Sequence, residues 1–384
     1  MALKKEKATL VLTDGTILEG WGFGALHEVS DPVWGEVVFN TSIFGYQEII
    51  TDPSYAGQIM CFTNPHIGNV GCNSLDQESN AVHTEGLIIR DLSKVTSNFR
   101  AEMDLQTYLN RNKRMGLYGI DTRYLVKHLR DNGSQIGVMA VGDRSIATKL
   151  LEIARSKDYS ELNFVERVSC KESYEWSELP WDHKLNKYKK LSPEELKNRP
   201  HVVAIDCGVK FNILRLLTAA GFRVTVAPCT FSTSELIALK PNAIFLSNGP
   251  GDPGKLGTLV ATTKELLGKY PMFGICLGHQ LIGQAIGGTT FKLKYGHRGG
   301  NHPVRNELID KIEISVQNHG YAVKSEGLPK EVVISHLNLN DQTVEGLDLP
   351  HLKAFSVQYH PESSPGPHDA QYLFKRFYEM VVNA

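Results

Sequence analysis

The chain has 384 residues, with 41 basic and 42 acidic side chains and a formal net charge of −1. This length is enough for two globular domains that each bury a core of their own. Balanced charge along the chain gives no electrostatic reason to expect nucleic acid or a membrane as partner. We see neither a signal peptide nor the ~20 consecutive apolar residues of a transmembrane helix. A cytoplasmic location is therefore expected.

The N-terminal half has a mixed α and β pattern. A hairpin is predicted over Leu10–Ile17, because Asp14 and Gly15 suit a tight turn between apolar strands. Asp121 or Thr122 is expected to cap a helix, since either side chain can accept a backbone N–H bond. The helices predicted in this half are Leu105–Asn110, Arg123–Asp131 and Ile146–Ala154.

A polar, charged segment with little periodicity separates the two halves. It covers residues 169–199 and places Trp176 and Trp181 among lysines and glutamates. This composition predicts a linker at 169–199 between an N-terminal domain at 1–168 and a C-terminal domain at 200–384. The alternative is a long insertion inside one domain.

From Pro200 onward, short apolar runs alternate with amphipathic stretches, which predicts an α/β fold with a doubly wound parallel sheet. The predicted strands are His201–Asp206, Arg223–Ala227, Ala243–Ser247, Met272–Ile275, Thr289–Leu293, Lys311–Val316, Val332–Leu337 and Ala354–Gln358. The predicted helices are Asn212–Ala220, Ser234–Leu239, Thr258–Leu267, Leu277–Ile286 and Asp369–Val382.

Cys276 carries the strongest chemical signal. It stands between Gly274 and Gly278, where an apolar strand runs through G-x-C-x-G directly into a helix. This is the cysteine form of a nucleophile elbow, whose glycines allow a sharp turn that exposes the sulfur. The N-terminus of the following helix favours thiolate over thiol. The alternative, a small buried thiol with glycines that serve packing, lacks a reason for this spacing.

A thiolate nucleophile needs a base, and His360 is the best-placed candidate among fourteen histidines. It follows a predicted strand, at the edge where open α/β sheets place ligands. Glu362 lies two residues later and can accept the other ring N–H. The rival histidines in this half are His279, His297, His302 and His319. We expect a packing role for His279.

The loop at Gly249–Lys255 matches two phosphate-binding patterns by letter, G-x-G-x-x-G and the start of a P-loop. Pro250 and Pro253 remove backbone N–H groups that such a cradle needs, so neither pattern is expected to bind phosphate. A rigid oxyanion-hole loop is the better interpretation. We also predict no metal, because six cysteines occur singly and His297 and His302 lack a familiar ligand spacing.

With these residues identified, the chain from about His201 onward resembles the class I glutamine amidotransferases. The resemblance implies a flavodoxin-like domain with Cys276 as nucleophile, His360 as general base and acid, and Glu362 as its orienting partner. It implies that the backbone N–H groups of Gly249 and Leu277 hold the oxyanion. The residues implied to line the glutamine pocket are Gly251, Gln280, Asn318, Gly320 and Tyr321.

The N-terminal half resembles the small subunits of carbamoyl phosphate synthetases. The similarity is carried by the segments 35–42, 45–48, 51–55, 64–69, 86–91, 97–100 and 119–123. It implies that Ser54 reaches the glutamine site and that this half docks on a large subunit. Two residues depart from the pattern of the family: Tyr359 stands where glycine is frequent, and Tyr321 where phenylalanine is common.

The resemblance implies a glutaminase subunit without a cofactor of its own. Ammonia would pass to the large subunit, which binds Mg-ATP and makes carbamoyl phosphate from bicarbonate and two ATP for arginine and pyrimidine biosynthesis. Two alternatives stay open: a non-catalytic regulatory or scaffold subunit, and the amidase subunit of another synthetase.

Overall fold

The computed structural model describes residues 6–159 and 162–383. The chain forms two compact units. The first contains Met1–Leu162 and Lys294–Arg298, and the second contains Asn163–Leu293 and Gly299–Ala384. Among the described residues, no helix is long and apolar enough to cross a membrane.

The first unit is built on a closed barrel with the strand order β1-β2-β8-β6-β4-β3-β9. The strands of this unit are β1 Glu6–Leu12, β2 Ile17–Gly24, β3 Val33–Asn40, β4 Gln58–Phe62, β5 His66–Ile67, β6 Gly86–Ile89, β7 Asp91–Leu92, β8 Met115–Tyr118 and β9 Gln135–Val141. Its helices are α1 Tyr46–Thr51, α2 Leu105–Arg111, α3 Thr122–Asn132 and α4 Ala147–Ser156.

Local sequence signals explain several of these elements. β1 and β2 form the predicted hairpin, in which Val11 pairs with Ile17 and the turn glycine Gly15 has a φ of 92°. Asp121 is the N-cap of α3, because its side chain accepts the backbone N–H of Tyr124 at 3.0 Å. Of the two predicted caps, Asp121 is therefore the correct one. Helices α2 to α4 begin and end within two residues of their predicted bounds.

The second unit contains the remaining elements. Its strands are β10 Tyr174–Trp176, β11 Glu178–Asp182, β12 Lys187–Lys190, β13 His201–Asp206, β14 Arg223–Pro228, β15 Ala243–Leu246, β16 Met272–Ile275, β17 Thr290–Asn306, β18 Lys311–Val323, β19 Val333–Asn338, β20 Val344–Leu349 and β21 Ala354–Val357; residues 294–298 of β17 group with the first unit. Its helices are α5 Phe164–Val168, α6 Pro193–Leu196, α7 Phe211–Ala220, α8 Thr233–Ala238, α9 Gly257–Leu266, α10 Leu277–Ala285 and α11 Tyr372–Val382.

A ten-stranded sheet organises the second unit, in the order β10-β14-β13-β15-β16-β21-β20-β19-β17-β18. Strands β14, β13, β15, β16 and β21 are parallel. Their order is 2-1-3-4-5 along the chain, which is that of the flavodoxin-like doubly wound fold. Helices α7 and α11 pack in the core on one face, and α8, α9 and α10 in the core on the other. The predicted fold class is thus confirmed, and each parallel strand ends at one common edge.

The segment at 169–199 differs from the predicted linker. The units divide between Leu162 and Asn163, and this segment belongs to the second unit. Within it, β10 pairs antiparallel with β14 at the edge of the sheet, and β11 pairs with β12. Arg215 of α7 holds the segment by donating to Glu178 at 2.9 Å. The segment is thus an ordered extension of the C-terminal sheet. The sequence does not indicate these strands, because the segment contains few apolar residues.

Candidate active site

Cys276 lies between β16 and α10, at the sharp turn that the sequence predicts. A Cβ atom on Gly274 would lie 2.7 Å from the backbone carbonyl of Gly278, and one on Gly278 would lie 2.2 Å from the carbonyl oxygen of Leu246. Neither position can hold a larger residue without backbone movement. Cys276 itself has a φ of 54° and a ψ of −102°, a strained conformation for a non-glycine residue. The turn thus holds the cysteine in a fixed, strained position.

The elbow is tied to the strand that carries the predicted base. The backbone N–H of Cys276 donates to the carbonyl of Val357 at 2.9 Å. Strands β16 and β21 pair in parallel, with Ile275 opposite Val357. Because His360 follows three residues after Val357, the sheet brings the thiol and the imidazole to the same edge.

His360, Glu362 and Lys210 form a buried chain of polar groups. His360 Nδ1 lies 2.7 Å from Glu362 Oε1, and Lys210 Nζ donates to the same carboxylate oxygen at 2.9 Å. All three side chains are at most 2% exposed. Lys210 also donates to the carbonyl oxygen of Ser363. The carboxylate therefore orients the imidazole, and the ammonium orients the carboxylate.

The charges of these three buried side chains determine the protonation states of Glu362 and His360. Burial alone would raise the pKa of Glu362. The positive charge of Lys210, followed by that of His360, outweighs burial and lowers this pKa to about 2. Burial lowers the pKa of His360, but Glu362, followed by the Cys276 thiol, raises it to about 10. The carboxylate therefore favours the protonated form of His360, which prepares the ring to take the proton of the cysteine. His360 Nε2 has no hydrogen-bond partner within the described residues, so it is available to the sulfur and to substrate.

Gly249 and Leu277, which are predicted to supply the oxyanion hole, lie close together, and Leu277 directly follows the cysteine; their role toward an oxyanion stays a prediction. A Cβ atom on Gly249 would lie 2.2 Å from the carbonyl oxygen of Cys207 and 2.8 Å from the Leu277 side chain. Gly249 is thus pressed against the first residue of α10, and only glycine fits there. In the described part of the chain, the N–H groups of Gly249 and Leu277 make no hydrogen bond. Gly251 follows in the same loop with a φ of 91°.

Residues of β18 come close to the sulfur. The thiol of Cys276 lies 3.6 Å from the carbonyl oxygen of Asn318, and Gln280 Nε2 donates to the carbonyl of Tyr321 at 2.8 Å. Gly320 lies between these two residues in the same strand. The structure therefore brings Asn318, Gly320 and Tyr321 of β18 beside Cys276 and Gln280, while Gly251 lies in the separate loop that contains Gly249.

Ser54 lies in the first unit, where it is buried in a short 3-10 helix over Pro53–Tyr55. Its backbone N–H donates to Asp52 Oδ1 at 2.9 Å. The predicted role of Ser54 toward glutamine stays a prediction.

Two rival histidines have other roles in the second unit. His279 is fully buried, with Nδ1 2.9 Å from Ser356 Oγ, and burial followed by the charge of His336 lowers its pKa to about 3. Both ring nitrogens of His319 lie at hydrogen-bond distance from oxygens, those of Tyr321 and Gln317. Neither imidazole is as well prepared as His360 to accept a proton from the sulfur.

Tyr359 is accommodated away from the reacting groups. Its side chain is fully buried, and its hydroxyl donates to Glu313 Oε2 at 3.2 Å. The ring of His336 packs edge-on against it, with the two ring centroids 5.6 Å apart. A tyrosine in place of glycine is therefore tolerated, because its side chain packs in the core.

Lys210 is the one member of the buried chain that the sequence analysis missed. It lies four residues after the end of β13, at the same sheet edge as the cysteine, and its side chain is 2% exposed. The available signal was its position in a short loop after a strand with an apolar centre, Val202–Ile205. A lone lysine in a loop is usually solvated, which is why this signal was weak.

Two family models match the chain. Residues 10–139 match the model described as carbamoyl-phosphate synthase small chain, CPSase domain, and residues 203–380 match glutamine amidotransferase class-I. The matched ranges fall in the barrel unit and in the doubly wound unit, respectively.

Relatives of known name cover nearly the whole chain. The carbamoyl phosphate synthase small chain of Syntrophotalea carbinolica is 48% identical over 98% of this chain and 98% of its own length. The small chain of Aquifex aeolicus is 47% identical, covering 98% of this chain and 99% of that protein. The chloroplastic small chain of Oryza sativa is 49% identical over 99% of this chain and 83% of that protein.

Proposed function

The chain belongs to the carbamoyl phosphate synthase small-chain family, and from this premise we propose that its elbow hydrolyses glutamine to glutamate and ammonia. The ammonia passes to a large subunit, which makes carbamoyl phosphate from bicarbonate and two ATP for arginine and pyrimidine biosynthesis. The observation that carries the proposal is the 2.7 Å contact between His360 and Glu362, beside an elbow cysteine. It supplies the base that a cysteine nucleophile requires.

The first half of the reaction forms a covalent intermediate. The thiolate of Cys276 adds to the side-chain amide carbon of glutamine, while its proton is held on Nε2 of His360. The N–H groups of Gly249 and Leu277 stabilise the negative charge that develops on the amide oxygen. The tetrahedral intermediate then collapses, the carbon–nitrogen bond breaks, and His360 protonates the leaving ammonia. A glutamyl thioester remains on the sulfur.

The second half uses the same groups in reverse order. His360, now neutral, takes a proton from water, which attacks the thioester carbon. Collapse of the second tetrahedral intermediate breaks the carbon–sulfur bond and releases glutamate. Glu362 holds the imidazole through Nδ1 in both halves, so the catalytic proton is always carried on Nε2.

Gln280, Asn318, Gly320 and Tyr321 are proposed to surround the glutamine substrate, with Gly251 in the facing loop. Ser54 is proposed to complete the pocket from the first unit. This chemistry requires no metal and no cofactor on this chain, and Mg-ATP belongs to the large subunit. The reaction is proposed to run in the cytoplasm, a reducing compartment compatible with six unpaired cysteines.

The other two functions are less well supported. A non-catalytic scaffold would not need a buried His360–Glu362–Lys210 chain, which is costly to desolvate. An amidase for another synthetase would not account for relatives of one name that match nearly the full length.

The test is a glutaminase assay of the purified chain and of Cys276→Ser. We expect the substitution to reduce glutamate release by at least ~1,000-fold, because the hydroxyl is a far weaker nucleophile here. Equal rates in the two proteins would refute the proposed function. Capture of the endogenous partner with the wild-type chain, followed by mass spectrometry, tests the choice of synthetase; recovery of a different synthetase would refute it.

A further inference from the structure

The His360–Glu362 pair lies on a turn shortly after β21. The backbone N–H of Ser363 donates to the carbonyl of His360 at 3.1 Å, which closes the turn. Ser363 and Ser364 continue from it with φ angles of 62° and 57°, in the left-handed region that residues other than glycine rarely adopt. A strained turn keeps its shape only where surrounding contacts hold it. The orientation of the imidazole therefore depends on the contacts that fix this turn.

Asn212 makes one of these contacts. Its side-chain Nδ2 donates to the backbone carbonyl of Glu362 at 2.6 Å, across 150 residues of sequence. Because Glu362 is 0% exposed, water cannot replace this donor without a movement of the backbone. The amide therefore fixes the peptide group between Glu362 and Ser363, where the strained residues begin.

The same end of α7 holds the side chain of Glu362. Lys210 is the N-cap of α7, and its Nζ donates to the Glu362 carboxylate at 2.9 Å and to the carbonyl of Ser363. Asn212 is the second residue of the helix. One helix end thus bonds both the carboxylate and the backbone of Glu362, through two side chains that lie two positions apart.

Helix α7 is a rigid support for these two side chains. Its residues Ile213, Leu214 and Leu217 are fully buried in the core of the second unit. The backbone N–H of Lys210 donates to Asn248 Oδ1 at 3.3 Å, which links the start of the helix to the loop after β15. A donor carried by a packed helix places its partner more accurately than one on a loop. The end of α7 can therefore hold the turn with the accuracy that proton transfer requires.

We propose that Asn212 is a positioning residue for the glutaminase reaction, which holds the turn so that Glu362 keeps the His360 ring in place beside Cys276. The inference rests on the proposed function for the reaction, and adds a residue that acts through Glu362. A displacement of about 1 Å in a reacting group can lower a rate by about 100-fold. Loss of the amide should therefore lower kcat. The KM for glutamine should change little, because the residues proposed to bind glutamine lie on other elements.

The experiment measures glutamine hydrolysis by the purified full chain and by two variants of Asn212. Asn212→Asp keeps the size of the side chain but replaces the donor by a carboxylate, and an acid in the first turn of α7 favours the helix. Asn212→Ala removes the group altogether. We expect kcat to fall at least about ten-fold in both, with KM within about two-fold of the wild type.

Asn112→Ala is the matched control. Asn112 is half-buried, as Asn212 is, and its Nδ2 donates to the backbone carbonyl of Tyr108 at 2.8 Å in the first unit. Its kcat should stay within about two-fold of the wild type. Urea unfolding checks that each variant is folded under the assay conditions, and either Asn212 variant that folds decides the question. Loss of folding in both would assign Asn212 a structural role and overturn the inference.

Alkylation of Cys276 by iodoacetamide, followed by mass spectrometry across a range of pH, gives a readout that a purely structural role would not change. A protonated His360 ring favours the thiolate, so a displaced Glu362 should raise the midpoint of alkylation by about 1 pH unit in the Asn212 variants. The control should keep the midpoint of the wild type.

A kcat close to that of the wild type in the folded Asn212 variants would overturn the inference, as would a loss confined to KM or an equal loss in the Asn112→Ala control. A fall in kcat with an unchanged midpoint of alkylation would also overturn it, because Glu362 would then still be in place. Failure of the proposed function is distinguishable. A wild-type chain that hydrolyses no glutamine, but whose alkylation midpoint depends on Asn212, would contradict only the glutaminase assignment.

Discussion

Replacing Glu362 by glutamine tests whether the buried polar chain controls both stability and catalysis. The amide has the shape of the carboxylate but no charge, so Lys210 Nζ, 2.9 Å away, loses its counter-ion in a site without solvent. Breaking a buried ion pair in this way costs about 3 kcal/mol of unfolding free energy. The amide can also donate to His360 Nδ1, which would place the imidazole proton on Nε2 and remove the base. Glutaminase kcat should therefore fall by at least ~100-fold.

The stability loss should depend on pH in a defined way. Glu362 has a folded pKa of about 2, below the ordinary value of 4.5, so its contribution is present above 4.5 and is lost as pH falls toward 2. His360 has a folded pKa of about 10, above the ordinary 6.5, so its contribution is complete below 6.5 and is lost as pH rises through 10. The difference in unfolding free energy between wild type and Glu362→Gln should therefore be largest between pH 4.5 and pH 6.5, where both contributions are present.

Urea unfolding at pH 5.5 and pH 9, together with glutamate release at neutral pH, measures both effects. Glu265→Gln is the control, because Glu265 is exposed on α9 and should tolerate the same change. A Glu362→Gln protein with wild-type activity, or with a stability difference that grows from pH 5.5 to pH 9, would refute the assigned roles of the buried chain.

Two further substitutions test the packing around the site. Gly278→Ala should destabilise the protein by about 3 kcal/mol, because its Cβ atom would lie 2.2 Å from the carbonyl oxygen of Leu246. Gly257→Ala, where a Cβ atom meets nothing within 4 Å, should change the urea midpoint little, and equal effects would contradict this steric argument. Tyr359→Phe should cost about 1 kcal/mol by removing the hydrogen bond to Glu313, with glutaminase activity unchanged. A large fall in activity would instead place Tyr359 in the reaction.

The central strands of the second unit were predictable because their residues are apolar on both faces. β13 to β16 were predicted to within two residues for this reason. β20 was missed, since its sequence, Val-Glu-Gly-Leu-Asp-Leu, contains two acids and a glycine in a buried strand. The acid Glu345 is tolerated there because Gln317 and Asn338 donate to it at 3.0 and 2.9 Å. These hydrogen-bond donors lie on other strands, so the sequence of β20 alone does not show that a buried acid is tolerated there.

The barrel of the first unit could not be predicted from local patterns. Its strand β3 pairs in parallel with β4 and antiparallel with β9, about 100 residues later, so the closure depends on distant partners. At the site, the G-x-C-x-G spacing predicts the turn that holds Cys276, and the strand before His360 predicts the position of His360 at the sheet edge. Lys210 was not predicted, because its partners Glu362 and Ser363 lie 152 and 153 residues later in the chain.

The pairing of β16 with β21 has an evolutionary consequence. These neighbouring strands hold the sulfur and the imidazole, whereas the chain between them, β17 to β20, extends the sheet beyond β21 as an antiparallel ribbon. The ribbon contacts both groups through its backbone: the carbonyl oxygen of Asn318 lies 3.6 Å from the sulfur, and that of Val316 accepts the backbone N–H of His360 at 2.8 Å. Substitutions of ribbon side chains that preserve these backbone contacts can therefore change the surroundings of the substrate without moving the sulfur or the ring.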